Sequence, residues 1–332
     1  MTVLAPGVRT IPVRGWRAGI STAFMVTLGR PSLWLLGALG FAGRGGLLLL
    51  VLPIITIPSP VVLSIIFRGR FAATGISSEL EAMIALILAG LVVSGLLVAA
   101  YADVAAFERL VGDAESGELR AGVEPRPLAS GERRWLVLTL AAIQAVTLIP
   151  ASIAALGLYA GMTGLFIGEI TAPSSLEVPL LLRVLGAARD PLLALMLLLV
   201  LADLTYALAS RAVLARHFRV GVAHQARSSG VLTATMHGAE RMVTRPSRTM
   251  ATALLAWSVS LIVIVPIVWA SLVAWDVVRA AYLSPAGLRE PTVLAVAVLV
   301  SIGFAAIWVA GAILAGFASA VRAALWSADA LR

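Results

Sequence analysis

The sequence contains no cysteine, no lysine and few charged residues of any kind. Without cysteine, the chain can form neither disulfides nor metal sites with thiolate ligands. Charged residues make up 13% of the 332 residues, whereas soluble domains carry about 25%. Hydrophobic residues make up 60%, and the mean hydropathy is +1.00. Because a water-surrounded core cannot bury so much apolar surface, the composition predicts a polytopic membrane protein.

Six apolar stretches are long enough to cross a bilayer, which takes about 20 residues of α-helix. They are residues 32–57, 80–104, 135–157, 191–211, 250–275 and 292–318. We therefore expect an all-α fold in which residues 1–332 form a single membrane domain with six transmembrane helices.

The 25 basic residues, all of them arginine, predict the orientation of these helices. With the N-terminus in the cytoplasm, 18 arginines fall on the cytoplasmic side and 6 on the outer side, while Arg44 lies within the first span. We therefore expect a multi-pass protein of the bacterial cytoplasmic membrane with both termini in the cytoplasm. The net charge of +8 favours contact with anionic membrane lipids rather than with nucleic acid.

Two kinds of segment recur along the chain. The segment "RDPLLALMLLL" begins the fourth span and "REPTVLAVAVL" begins the sixth, each with an acid expected at the N-cap and a proline at the first helical position. The first and fifth spans each follow an amphipathic stretch, a pattern typical of helices that lie in the membrane interface. Their apolar faces consist of Trp16, Ile20, Phe24 and Leu28 in the first stretch, and Leu232, Met236, Ala239 and Val243 in the second.

These recurrences predict three parallel hairpin repeats, each made of a cytoplasmic segment and two spans. Their approximate bounds are residues 14–110, 111–215 and 225–326. Shared rules for starting helices, without internal homology, are the alternative explanation.

The segment "GWRAGISTAFMVTLGRPSLWLLG" combines an amphipathic helix with the span that follows it. This pattern resembles the membrane domain that precedes some glycerophosphodiester phosphodiesterases, and it is similar to stand-alone bacterial six-helix membrane proteins of unknown function. The resemblance covers most of the chain but includes no catalytic motif. Because the sequence shows no appended soluble domain, the resemblance does not imply phosphodiesterase activity.

Several polar residues fall inside the predicted spans, where an ionisable group usually has a function or a partner. At a rise of 1.5 Å per residue, Arg44 lies about 18 Å from the start of the first span. The same rule places Asp203 within about 6 Å of the depth of Arg44, which an arginine side chain can reach. We therefore expect an intramembrane polar cluster of Arg44, Gln144 and Asp203, with Asp103 and Tyr206 as neighbours.

Three interpretations of Arg44 remain open. It pairs with an acid and joins two helices. Alternatively, residues 32–67 are not one helix: Gly43–Gly46 break it, residues 46–67 form the span, and Arg44 reaches the cytoplasmic interface. In the third interpretation, a broken helix and the arginine together form a site for a substrate or an ion.

Residues 211–248 form a strongly basic segment with seven arginines and one glutamate. On a helix, His217 and His224 would lie about 10.5 Å apart, too far to share a metal ion, and we expect no metal or cofactor. The arginines predict a surface for anionic lipid headgroups, or for a soluble protein partner such as an ATPase subunit. This surface consists of Arg211, Arg216, Arg219, Arg227, Arg241, Arg245 and Arg248.

The sequence carries no HExxH, GxSxG or P-loop motif, so no enzyme activity is expected. The pattern favours a non-enzymatic integral membrane protein that serves as a scaffold or as a subunit of a larger membrane complex. The alternative is a permease or transporter subunit driven by a separate cytoplasmic chain. An intramembrane enzyme that acts on lipid has the least support.

Overall fold

The computed structural model describes residues 16–51, 54, 78–112, 127–175, 177–178, 180–218, 230–283 and 290–331. Over these residues the chain forms helices and no strand. Six of the helices are long and apolar enough to cross a membrane, which confirms the predicted all-α fold with six spans. Most of residues 52–77 lie outside the described residues, and with them the end of the first predicted span, residues 52–57 apart from Ile54.

The first span is composite, because α2 continues through a π-helical turn (Ala42–Gly46) into α3. The other five spans are single long helices, and the described residues also form three shorter helices. In chain order the helices are α1 (Trp16–Leu28), α2 (Pro31–Phe41), α3 (Leu47–Val51), α4 (Ser78–Gly112), α5 (Ser130–Thr171), α6 (Leu180–Ala187), α7 (Arg189–Phe218), α8 (Val231–Thr244), α9 (Pro246–Tyr282) and α10 (Pro291–Ala330).

Proline begins α2, α9 and α10, where its missing N–H leaves no helical hydrogen bond unmade. Glu290 is the N-cap of α10, as the sequence predicts. The same prediction for Asp190 is wrong, because α7 already begins at Arg189 and Asp190 lies in its first turn. The backbone N–H of Ala188 donates to the carbonyl of Val184, so α6 runs directly into α7 and leaves no separate cap.

The spans pack most closely at one end of the bundle, which we call the packed end. Large apolar side chains are buried there, among them Phe107, Leu136, Phe218 and Leu325. Polar contacts also join the helix ends at this level: Arg109 with the carbonyl of Ser32, Glu108 with Arg133, and Arg248 with Asp329. The sequence predicts that this end faces the cytoplasm, and that orientation stays a prediction.

The other half of the bundle exposes apolar side chains to its surroundings. Leu86 of α4, Leu156 of α5, Met196 of α7 and Ile262 of α9 are all exposed. In water such a surface would be strongly unfavourable, whereas lipid chains are as apolar as these side chains. The uneven distribution therefore fits a bundle that is tightly packed at one end and surrounded by an apolar medium along the rest.

Glycine allows close approach at two helix crossings. A Cβ atom on Gly316 of α10 would lie 2.5 Å from the carbonyl oxygen of Trp34 in α2. Where the π-helical turn meets α4, a Cβ atom on Gly43 would lie 2.5 Å from the carbonyl oxygen of Gly95. Both distances are too short for any larger residue, so backbone–backbone contact holds these helices together, as is common in membrane bundles.

The two predicted amphipathic stretches form α1 and α8, directly before the first and fifth spans. In α1, Gly19, Ala23 and Val26 face the protein, while on the predicted apolar face Leu28 is exposed and Ile20 and Phe24 are partly buried. The small residues are buried because α1 packs closely on α10. Leu232 and Met236 of α8 face outward from the protein, as expected for a helix at a membrane interface. The threefold repeat itself stays a prediction.

Candidate functional site

Asp103 of α4 lies at the centre of a network of charged groups inside the bundle. It is buried, with 3% of its surface exposed. Its Oδ1 accepts a hydrogen bond from Arg211 Nη2 at 2.7 Å, and its Oδ2 accepts one from the Tyr206 hydroxyl at 2.7 Å. Arg44 donates to the same Oδ2. One carboxylate thus joins the first, second and fourth spans.

The π-helical turn places Arg44 against α4. Gly45 has a φ of 84°, a left-handed conformation that glycine adopts without steric cost. Gly43, one residue before the arginine, packs directly on the backbone of α4 at Gly95. The Arg44 guanidinium also lies 5.7 Å from the centre of the Tyr206 ring, which is a cation–π contact. The glycines therefore determine where this charge is held.

A second carboxylate, Asp203, joins its own helix α7 to two others. Its Oδ1 accepts from Arg322 of α10, and its Oδ2 accepts from Trp257 Nε1 of α9 at 3.2 Å. Asp203 is about 29% exposed, so this pair is less completely buried than Asp103 and Arg211. Asp203 and Arg44 are close enough to attract each other electrostatically. We call Asp103, Asp203 and the groups that bind them the charge network.

A small cavity of about 20 Å³ lies within the charge network. Such a volume holds about one water molecule. Trp326 is buried, and its Nε1 donor has no hydrogen-bond partner among the described residues. Three arginines and two aspartates leave this region with one excess positive charge. The residues around the cavity are Arg44, Tyr206, Ala207, Ser210, Arg211, Ser319, Arg322, Ala323 and Trp326.

The predicted ion pair between Arg44 and Asp203 is wrong. Arg44 pairs with Asp103, and Asp203 pairs with Arg322. Depth along the helix axis permitted the predicted pair, but the rotation of each helix about its axis decides which carboxylate faces the arginine. Gln144 of α5 is buried as expected, yet its Oε1 has no hydrogen-bond partner in the described part of the chain. Of the five predicted cluster residues, Arg44, Asp103 and Tyr206 are in direct contact.

Sequence reasoning missed three members of the charge network: Arg211, Arg322 and Trp257. Arg211 was expected on the basic surface, but it is 4% exposed and pairs with Asp103. Arg322 lies beyond the apolar stretch predicted for the sixth span, whereas α10 continues to Ala330. The excess of arginine over acid near the ends of the spans is the sequence feature that pointed toward Arg211 and Arg322.

The structure divides the predicted basic surface into parts. Arg248 pairs with Asp329 at the packed end. Arg216, Arg241 and Arg245 line a separate, larger cavity between α7 and α8. Arg219, Arg227 and His224 lie outside the described residues. His217 is buried and stacks on Trp135, with ring centres 6.1 Å apart.

Comparison with protein-family models, curated proteins and solved structures finds no match. The resemblance to the membrane domains of some glycerophosphodiester phosphodiesterases therefore stays a prediction.

The charge network has the chemistry of groups that hold helices together. Both carboxylates already accept hydrogen bonds from arginine and from a second donor. Such paired groups stabilise contacts between helices that would be costly to leave unpaired in an apolar medium.

Proposed function

We propose that the protein is a non-enzymatic integral membrane protein that acts as a scaffold or as a subunit of a larger membrane complex. The observation that carries this proposal is the use of charge inside the bundle. Asp103 joins the first, second and fourth spans, and Asp203 joins the fourth, fifth and sixth. The third span is tied to the second by the ion pair of Glu108 with Arg133, at 2.9 Å.

Charges used in this way stabilise the shape of the bundle, because each one pairs with an opposite charge on a neighbouring helix. The apolar half of the bundle adds a second argument. Its exposed leucine, isoleucine and valine side chains offer a large surface for contact with the helices of another membrane protein. A closely packed end combined with an exposed apolar surface supports a role in assembly rather than in catalysis.

Purification from native membrane tests this proposal. The tagged protein is extracted together with its surrounding lipid by a membrane-solubilising polymer, and its mass is measured against the 34.5 kDa of the single chain. We expect a second chain in fixed ratio, which remains bound after washing with high salt because the contact is apolar. Recovery of the single chain alone, from membranes cross-linked before extraction, would contradict a role as a subunit.

A permease or transporter subunit is the second candidate, and the small cavity inside the charge network favours it. The cavity has an excess positive charge, a Trp326 donor with no partner in the described part of the chain and, beside it, a first span broken by the π-helical turn. A transporter of anions needs groups of this kind, together with a path for water. The two candidates therefore differ in whether water-soluble reagents reach the cavity.

Single serine-to-cysteine variants distinguish the candidates, because the native chain has no cysteine. Ser210→Cys and Ser319→Cys report on the cavity. Ser21 is exposed on α1 and Ser271 is fully buried in α9, so their cysteine variants mark full labelling and full protection. For a scaffold, we expect a membrane-impermeant thiol reagent to spare positions 210 and 319 as it spares position 271. Labelling at the rate of position 21 would favour the transporter.

A further inference from the structure

A cavity of about 330 Å³ lies at the packed end, between the last turns of α7 and the amphipathic helix α8. Arg216 reaches it from α7, whereas Arg241 and Arg245 reach it from the end of α8 and the turn that follows. Its remaining lining is mostly small and apolar, with Val213 and Ala234 on the two helices. A volume of this size accommodates a small polar ligand rather than a single water molecule.

The charges around this cavity favour an anion. Glu240 is the acidic residue among those that line it, and the Glu240 Oε2 lies 3.0 Å from His237 Nδ1. Three arginines therefore face one glutamate. Arg216 and Arg245 are exposed and make no ion pair within the described part of the chain. This sets them apart from Arg211, whose charge is already neutralised in the bundle.

Helix α8, which forms one wall of the cavity, also has an apolar face that points away from the protein. Leu232 is 65% exposed, Met236 is 70% exposed and Val243 is 80% exposed. A helix with apolar side chains on one face and charged ones on another lies at the boundary between headgroups and acyl chains. The basic cavity is thus at the level of lipid headgroups, next to a surface that acyl chains would cover.

We propose that this cavity binds the phosphate of an anionic phospholipid, with the acyl chains along the exposed apolar face of α8. Guanidinium groups bind phosphate oxygens in a bidentate manner, so Arg216 and Arg245 can clamp the phosphate from two sides. A zwitterionic lipid brings a cation as well, which the arginines disfavour. The proposal holds for a scaffold and for a transporter subunit, since it requires only that the protein resides in a membrane.

Lipid titration of the purified full-length protein tests the site. Phosphatidylglycerol is added to the protein in neutral detergent, and binding is measured by native mass spectrometry and by the shift in melting temperature. Each arginine near an anionic surface contributes about 1 kcal/mol, so the double variant Arg216→Gln/Arg245→Gln should bind about 30-fold more weakly. The matched control is Arg134→Gln, which removes an exposed arginine of α5 at the same end and should leave affinity unchanged.

A second variant keeps the proposal testable if the double variant is unstable. Glu240→Gln removes the acidic residue of the cavity and should strengthen phosphatidylglycerol binding about fivefold, by the same charge argument. Unchanged affinity in both variants would overturn the proposal. Equal binding of phosphatidylcholine would also overturn it. Saturation by soluble glycerol 3-phosphate at the same concentration as the lipid would overturn it as well, because the cavity would then be a site for a free phosphate compound.

Discussion

The substitution Asp103→Asn should destabilise the bundle more than any other single change of an acid to its amide. Asparagine keeps the size of the side chain and can still accept a hydrogen bond from Tyr206, but it no longer neutralises Arg44 and Arg211. Arg211 is almost completely buried, with 5% of its side chain exposed. The variant therefore leaves a buried guanidinium without its counter-ion, a change that costs about 3–5 kcal/mol of unfolding free energy.

Asp203→Asn is the matched comparison, because it makes the same chemical change in the other half of the charge network. Asp203 is 29% exposed and Arg322 is 23% exposed, so solvent screens the arginine that the variant leaves unpaired. We expect a loss of about 1–2 kcal/mol for this variant, between the values for surface and buried pairs. The difference between the two variants then measures the effect of burial at constant chemistry.

Unfolding in mixed micelles with a rising fraction of sodium dodecyl sulfate, followed by far-UV circular dichroism, provides both free energies. The double variant Asp103→Asn/Arg211→Met completes a thermodynamic cycle, and its cost should fall below the sum of the single costs by about 1–3 kcal/mol. Two results would refute the reasoning: equal losses for Asp103→Asn and Asp203→Asn, or strict additivity in the cycle. Equal losses would mean that burial does not set the cost of leaving an arginine unpaired, and additivity would mean that Asp103 and Arg211 are not coupled.

Three further changes test the packing around the network. Gly316→Val should cost about 1–3 kcal/mol of unfolding free energy, because the valine side chain would meet the backbone of α2. The control is Gly303→Val on the same helix, which has open space around it and should cost little. The same detergent titration compares the two variants. Gly45→Ala should cost about 1 kcal/mol, because alanine disfavours a φ of 84°, and an unchanged midpoint would contradict a left-handed turn at this position. Trp257→Phe removes a donor to Asp203 and should cost about 1–2 kcal/mol. A loss of the same size in an Asp203→Ala background, which has no acceptor for the indole N–H, would show that the bond does not contribute.

The six spans were predictable because hydropathy and helix length depend on the chain alone. Apolar stretches of sufficient length have to cross a bilayer as helices, since no water is present to satisfy their backbone groups. The interfacial helices α1 and α8 were also predictable from the periodicity of their apolar residues. The glycines at positions 43, 45 and 46 pointed to a break in the first span as one of three interpretations of Arg44, and the structure shows a π-helical turn there, with Arg44 paired to Asp103.

The partners inside the bundle were less predictable, for a geometrical reason. Counting residues gives the depth of a side chain, and this matched Arg44 with Asp203, whereas Asp103 and Tyr206 were included only as neighbours. The rotation of each helix about its own axis depends on its packing against all the others. In the structure this rotation directs Asp203 toward Arg322 rather than toward Arg44. Arg211 is the last residue of its predicted apolar stretch and Arg322 lies past the end of another, so hydropathy grouped both with solvated arginines although their helices remain packed.

The order of the charged partners along the chain bears on how the protein is made. Arg44 belongs to the first span, and the carboxylate that neutralises it belongs to the second. A nascent chain with only two helices inserted can therefore already shield this guanidinium from lipid. In contrast, α1 and α2 pack on α10, which is the last helix to be synthesised. Asp203 also stays unpaired until Arg322 of that same helix has been inserted. During synthesis, the early helices therefore remain incompletely packed until α10 is inserted. In that interval the unpaired Asp203 and the uncovered faces of α1 and α2 are what a membrane chaperone would shield.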